Sequence, residues 1–249
     1  DLPSGPPAPN VNVVELDKQI VLEWESDEEA RVNTESSNIK GYRFEGYNVY
    51  QLPSATATKE DGVLLATYDL ETSPGYIFQD VFDPSAGVAV NKPVQFGINS
   101  GLTRYYRVST DAFTNKPLIN GKTYYFVATA YNQNMSPDVS THSLESPISQ
   151  SLRAVVPHAP NPQTIYPYSL GDTVVVENKV GINDAIVVPV IMDPDAPAGE
   201  TFEVRFAMDE EAGTKTWDLM RTDSSPEDTL VGQSGTFNPD AEYRFLGTG

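Results

Sequence analysis

Cysteine is absent from this 249-residue chain, and histidine occurs only twice. The lack of cysteine excludes disulfide bonds, thiolate nucleophiles and cysteine-based zinc sites. It does not decide the compartment, because a large β-domain with an adequate core folds without disulfides. His142 falls in a polar loop and His158 in a proline-rich segment. A catalytic triad or zinc site needs a histidine held by rigid neighbours, so we expect neither histidine to be catalytic.

Basic residues are also scarce, since 16 lysines and arginines stand against 35 acidic residues and give a net charge of −19. Such a surface repels phosphate backbones and anionic lipid headgroups. The sequence therefore predicts no nucleic-acid partner. Long apolar runs are missing as well: none approaches the roughly 20 residues that a membrane-spanning helix needs. We expect no membrane insertion.

Glycine-rich phosphate and dinucleotide motifs are absent. The sequence GQSG at 232–235 is one residue short of a nucleophile elbow, and its polar setting predicts a turn. We therefore predict that the chain is not an enzyme, with no catalytic, cofactor-binding or metal-ligating residue assigned.

Short apolar runs separated by many prolines and glycines are what the chain does contain, with 20 Pro and 17 Gly in all. Turn-forming residues spaced in this way between short apolar runs are typical of an all-β protein. Alternation predicts that Ile20, Leu22 and Trp24 point inward from a half-buried strand. The acidic stretch 26–38 is expected to be a loop or at most a short helical turn. The strands predicted before residue 158 lie at 18–26, 42–53, 62–70, 75–83, 87–98, 101–110, 124–131 and 145–157.

Three prolines within residues 157–163 predict a domain boundary, because proline cannot continue a sheet. We expect an extended segment at 1–10, a β-sandwich at 11–157, a linker at 158–163, and at 164–249 a second β-sandwich-like domain that is incomplete. In that second domain Ile186, Val188 and Val190 are candidates for the core. Its predicted strands lie at 172–180, 184–192, 200–208, 215–222, 228–233 and 241–249.

Four stretches together resemble a fibronectin type III domain, an immunoglobulin-like β-sandwich. They are VLEWES with Trp24, GYNVYQ with Tyr47, LINGKTYYFVATAYN with Leu118 and Tyr124, and ESPISQSLRAVVP, which resemble strands B, C, F and G. The resemblance implies that the Tyr124 hydroxyl hydrogen-bonds nearby backbone and that Trp24 fills the core. The match covers about 150 residues where such a domain needs about 100. We therefore expect a large insertion at about 69–117.

The sequence of that insertion and of the segment after it resembles large secreted proteins of Bacteroidota and related bacteria. The stretches that carry the resemblance are VNKPVQFGINSGLTRYYRVSTD and NKPLINGKTYYFVATAYN. Many such proteins are exported by the type IX secretion system. The resemblance implies an extracellular or cell-surface location and a chain that belongs to something longer.

Two acidic clusters are candidates for calcium, the one cofactor we consider. Asp193, Asp195 and Glu200 surround one turn, and Asp80 and Asp83 form the second cluster because they lie close together in sequence. Calcium takes six to eight oxygen ligands, which such loops can supply. Turn formation by Asp-Pro and Pro-Gly neighbours explains the same residues without a metal and is favoured.

Tyrosine is plentiful, with 13 residues, and an exposed aromatic platform could bind a sugar or another chain. Core and cross-strand packing explains most of them and is favoured. The tyrosines concerned include Tyr105, Tyr106, Tyr124, Tyr125 and Tyr131.

The first hypothesis for function is a non-enzymatic extracellular structural or adhesive protein, a cell-surface or filament-forming component built from tandem β-domains. Its partners would be proteins, including copies of itself, docking by strand addition at an open sheet edge. The alternative is a carbohydrate-binding or spacer segment of a larger secreted hydrolase, with a glycan as the partner.

Overall fold

The computed structural model describes residues 3–71, 75–85, 87–160, 167–181, 186–194, 200–209, 213–223 and 225–234. Their strands form several antiparallel sheets, so the predicted all-β class is confirmed. The chain divides into two compact units, residues 1–161 and 162–249. Residues 161–166, which include the end of the predicted linker, lie outside the described residues. The strand predicted at 241–249 lies outside them as well.

The first unit is a sequence of antiparallel strands. Their bounds are β1 Asn12–Leu16, β2 Gln19–Glu23, β3 Asn38–Ile39, β4 Tyr42–Leu52, β5 Val63–Asp69, β6 Tyr76–Asp83, β7 Val88–Phe96, β8 Tyr105–Val108, β9 Thr110–Asp111, β10 Lys116–Pro117, β11 Tyr124–Gln133, β12 Ser143–Glu145 and β13 Arg153–Val155.

Two of the sheets enclose the core. In the smaller one the order is β1-β2-β8; in the larger one β4 pairs with β11 on one side and with β3 and β5 on the other, while β11 also pairs with β12 and β13. Ile20 and Leu22 from the smaller sheet meet Tyr47, Val49 and Phe126 from the larger, all with no measurable exposure. Apolar faces that meet in this way are the packing of a β-sandwich.

The predicted corner is present. The buried Tyr124 hydroxyl accepts a hydrogen bond from the Ile119 backbone N–H at 3.0 Å, and Leu118 is buried beside it. Trp24 is also buried, with its ring centroid 5.5 Å from that of Tyr47. The Asn-Gly turn and the aromatic pair therefore fix the entry of β11 into the sheet.

β2 is more deeply buried than its alternation predicts, because Val21 and Glu23 are enclosed as well as the inward set. The Glu23 carboxylate accepts hydrogen bonds from the backbone N–H groups of Glu25 and Ser26. A charge can be buried here because local backbone donors satisfy it.

Residues 26–38 form more than the predicted loop or short helical turn. They contain the helix α1, Glu28–Glu35. The Asp27 side chain accepts a hydrogen bond from the Ala30 N–H, and two glutamates occupy the first turn, which suits the positive end of the helix dipole. The helix then ends near Ser36. The stretch 145–157 likewise holds a short helix α2, Ile148–Ser151, before β13.

The predicted insertion contains a β-hairpin that forms a sheet of its own. Strands β6 and β7 pair only with each other among the described residues. Both strands were predicted, and their turn residues Pro84, Ser85 and Gly87 lie between them. A two-stranded sheet is marginal by itself, so its attachments to the sandwich matter.

The second unit contains one three-stranded antiparallel sheet in the described residues. Its strands are β14 Phe202–Asp209, β15 Thr214–Arg221 and β16 Asp228–Ser234, which confirms the strand predicted at 200–208 and the hairpin that follows it. Residues 232–234 lie in β16, so the turn predicted at GQSG is wrong at these positions.

The strands predicted at 172–180 and 184–192 are not formed in the described residues, apart from one bridge between Thr173 and Val190. Ile186, Val188 and Val190 are exposed, by 89, 62 and 44%. Their assignment to the core was therefore wrong: no sheet of the described residues covers them, and Ile191 and Met192 are buried instead.

Candidate functional site

The largest concentration of exposed aromatic side chains in the described residues lies on one face of the β6–β7 hairpin. Tyr76, Phe78 and Phe82 alternate along β6, and Phe96 stands opposite Tyr76 on β7. Their exposed fractions are 51, 45, 66 and 49% in that order. We call these four side chains the aromatic face. Solvent-exposed apolar groups gathered in this way mark interaction sites more often than scattered ones do.

The rings of the aromatic face order one another at the base of the hairpin. The Tyr76 and Phe96 rings meet edge to face at a centroid distance of 5.9 Å. The rings of Tyr76 and Phe78 are 6.5 Å apart. Cross-strand aromatic pairs of this kind stabilise a hairpin by a few tenths to about 1 kcal/mol. The base of the face is therefore preorganised, whereas Phe82 stands further along the hairpin.

The opposite face of the hairpin is attached to the sandwich. Ile77 is almost fully buried, and Gln95 accepts a hydrogen bond from the Asn48 side chain of β4 at 3.0 Å. Gln79 accepts another from the backbone N–H of His142 at 3.1 Å. These contacts close the attached side around Ile77 and Gln95, and the aromatic face points away from them.

Asp69, at the end of β5, clamps the loop that leaves the hairpin. Its buried carboxylate accepts hydrogen bonds from three successive backbone N–H groups, those of Ile98, Asn99 and Ser100, at 3.2, 3.0 and 3.3 Å. The carboxylate lies so close to Gly97 that a side chain there would collide with it. The sequence therefore needs glycine at the exit of β7.

A small open cavity of about 220 Å³ adjoins the base of the aromatic face. Phe96 contributes to both, and residues 64–67 of β5 form the other wall. The cavity could hold one apolar side chain but is too small for a drug-sized ligand. Its lining residues are Leu64, Leu65, Ala66, Thr67, Phe96 and Ile98.

Beneath the hairpin a polar layer covers the outer face of the larger sheet. Glu145 accepts hydrogen bonds from Lys59 at 2.6 Å, Tyr50 at 3.0 Å and Asn48 at 3.1 Å, and from Thr129. Burial, reinforced by the nearby Glu145 carboxylate, raises the pKa of Tyr50 above its usual range, so the hydroxyl remains a donor. With four donors on one carboxylate, this layer is a structural network rather than an acid–base site.

A second buried carboxylate, Asp111, closes the far end of the same sheet. Burial opposes its charge, but hydrogen bonds from the Phe113 N–H, the Gln51 amide and Lys122 outweigh burial and hold the pKa of Asp111 below its usual value. The group is therefore charged at neutral pH and fixes the turn before β10.

The strongest charge cluster ties α1 to the sandwich. Arg104 donates two hydrogen bonds to Glu35, at 2.7 and 3.0 Å, and lies 3.0 Å from Glu25. The Tyr47 hydroxyl donates to Glu35 at 2.8 Å. Burial raises the pKa of Glu25 although Arg104 and Arg31 oppose it. These groups neutralise one another, so the cluster is structural.

Neither histidine lies in an arrangement that suggests chemistry. The His142 Nδ1–H donates to the Asn134 carbonyl at 2.8 Å, which fixes the ring within its loop. The exposed His158 ring reaches the neighbouring Ala159 carbonyl at 3.3 Å. That the chain is not an enzyme stays a prediction.

The acidic clusters considered for calcium are engaged by protein groups where they are described. Asp80 accepts a hydrogen bond from Asn91, Asp83 from Ser85 and Lys92, and Glu200 pairs with Arg221. Asp195 lies outside the described residues. No group of three or more metal-ligating side chains occurs in the described part of the chain. Calcium binding remains untested.

The tyrosines selected from the sequence are not the exposed aromatics. Tyr124 and Tyr131 are buried, while Tyr105, Tyr106 and Tyr125 are half-buried. The aromatic face consists mainly of phenylalanines. Its only signal in the sequence is the alternation of Tyr76, Phe78 and Phe82, which cannot show the exposed face because Ile77 and Val81 on the other side are apolar as well.

Within the described ranges no helix has the length and apolar composition needed to cross a bilayer. Comparison with known proteins gives no match to a family model, to a curated protein or to a solved structure.

Proposed function

We propose that this chain is a non-enzymatic structural or adhesive component of an extracellular or cell-surface assembly. The observation that carries the proposal is the aromatic face. It is presented on an inserted hairpin by a sandwich whose carboxylates Asp69, Asp111 and Glu145 accept structural hydrogen bonds. An exposed apolar surface on a rigid support is what protein association requires.

The finer family assignment is part of the proposal. The Leu118–Tyr124 corner, the buried Trp24 and the two facing sheets support a fibronectin type III-like domain for residues 11–157. The hairpin at Tyr76–Phe96 would be the insertion in that domain. On this reading the type IX secretion resemblance supplies the extracellular location.

The test is electron microscopy of the native extracellular material with a label directed at this chain. Regular filaments or sheets that carry the label are the expected result. Label confined to isolated particles, or scattered over cells without order, would contradict a structural role.

A carbohydrate-binding segment is the second candidate, because exposed aromatic rings also stack on sugars. Glycan arrays separate the two functions: saturable sugar binding that is lost in Phe78→Ala or Tyr76→Ala would favour the second candidate. The control is Phe113→Ala, which removes an exposed ring outside the aromatic face.

A further inference from the structure

The charge of the hairpin differs from that of the whole chain. Residues 75–98 contain only Asp80, Asp83 and Lys92 as charged side chains, a net charge of −1, whereas the chain carries −19. Lys92 also pairs with Asp83 at 3.2 Å. Two copies of a strongly acidic protein repel each other over most of their surface, but little at such a neutral region.

One charged side chain shares the face with the four rings: the exposed Asp80 lies between Phe78 and Phe82 and accepts a hydrogen bond from Asn91. A single carboxylate offers a basic partner little attraction. A cationic protein or peptide would find its attraction on the acidic remainder of the surface, not at this hairpin. Four apolar rings beside one carboxylate fit another apolar surface of low charge. Every copy of this chain provides such a surface.

The available area sets the strength of the contact. An aromatic side chain buries roughly 200 Å² when it is fully covered, so four half-exposed rings offer about 400 Å² on each copy. Two copies together would bury about 800 Å², below the ~1,200 Å² of ordinary specific complexes. A single contact of this size is weak and gains strength when many copies are aligned.

We infer that the aromatic face of the β6–β7 hairpin is a contact between two copies of this chain. The inference rests on the proposed function and names the partner: the hairpins of neighbouring copies pack ring against ring, while the acidic surfaces remain apart. The cavity beside Phe96 extends the apolar area at the base of the hairpin.

The first experiment is sedimentation velocity of the full chain over a wide concentration range. We expect reversible association that Phe78→Ser combined with Phe82→Ser weakens at least tenfold. The matched control, Phe113→Ser combined with Ile119→Ser, also removes two exposed apolar side chains and should leave association unchanged. A chain that stays monomeric throughout, or equal effects of both double variants, would overturn the inference.

Salt provides an independent readout. Raising the ionic strength from 0.05 to 0.5 M shortens the range of repulsion between acidic surfaces and should strengthen an apolar contact. Association that weakens with salt would show that charge attraction holds the copies together, and would contradict the proposed contact.

The lack of cysteine permits a positional test. Ala89 stands opposite Phe82 on the aromatic face, and Ala55 is an exposed alanine elsewhere. With a short bifunctional maleimide, Ala89→Cys should cross-link two copies and Ala55→Cys should not. Equal yields at both positions, or none at Ala89→Cys, would overturn the inference. Labelled filaments from a chain that fails these tests would preserve the structural role and place its contact elsewhere.

Discussion

The sandwich core and the hairpin are both rich in aromatic residues, but the core buries them and the hairpin exposes them to water. In the core, Trp24, Phe44 and Tyr47 pack against one another and against a facing sheet. On the hairpin, Tyr76 and Phe96 make a similar ring contact but have no covering layer in the described residues. The same residue type thus serves stability in one region and is available for association in the other.

The largest effect should come from Trp24→Ala. Removing this buried ring leaves a cavity between the two sheets, and we expect the free energy of unfolding to fall by about 3–5 kcal/mol. Urea denaturation monitored by far-UV circular dichroism measures the change. A loss below 1 kcal/mol would mean that Trp24 is not part of the core.

Gly97→Ala should separate the two regions from each other. The added methyl group collides with the Asp69 carboxylate and the Gly75 carbonyl, so the clamp on the hairpin exit opens at a cost of about 1–3 kcal/mol. Hydrogen exchange should accelerate in β6 and β7 more than in β4 and β11. Ser100→Ala is the control, because it keeps the backbone donor that binds Asp69. Uniform acceleration would instead indicate global destabilisation.

Asp111→Asn should reveal a pH-dependent contribution of the Asp111 carboxylate to the stability of the sandwich. The folded-state pKa of Asp111 is lowered, so its charge stabilises the fold above the unfolded pKa of about 3.9, and this stability is lost as pH falls through the lower folded value. We expect the variant to lose about 1 kcal/mol at pH 7. The difference in free energy of unfolding from the wild type should shrink below about pH 4. A constant difference from pH 7 to pH 2 would contradict the assignment.

Phe82→Ala should have the smallest effect on stability. The side chain is 66% exposed, so we expect the free energy of unfolding to change by no more than about 0.5 kcal/mol. Thermal and urea unfolding of the variant provide the measurement. A loss comparable to that of Trp24→Ala would show that Phe82 is covered within the molecule, and would remove it from the aromatic face.

Local sequence rules explain why the positions of the longer strands could be predicted. Alternation and turn residues act within one strand and its neighbours, which is why β4, β5, β6, β7 and β11 are found where the sequence places them. The helix at 28–35 was missed because it has no long apolar stripe. Its signal was the Asp27 cap followed by two glutamates, and tertiary contacts through Arg104 complete its stabilisation.

The candidate site was less predictable than the fold. Nothing in the sequence singles out Phe78 or Phe82, because an apolar residue on a strand is expected to be buried until the covering layer is known. The error at Ile186, Val188 and Val190 has the same origin. These residues have strong β-propensity, but within the described residues the Thr173–Val190 bridge is the only strand pairing of their segment.

The sequence by itself determined the all-β class and the longer strands β4, β5, β6, β7 and β11, because propensity, alternation and turn chemistry are local properties of the chain. The corner at Tyr124 was an expectation from the fibronectin type III resemblance. Only the tertiary structure decided which apolar faces are buried, since burial depends on segments distant in sequence. Asn48 and Asp69 hold the hairpin by one side and leave Tyr76, Phe78, Phe82 and Phe96 facing solvent.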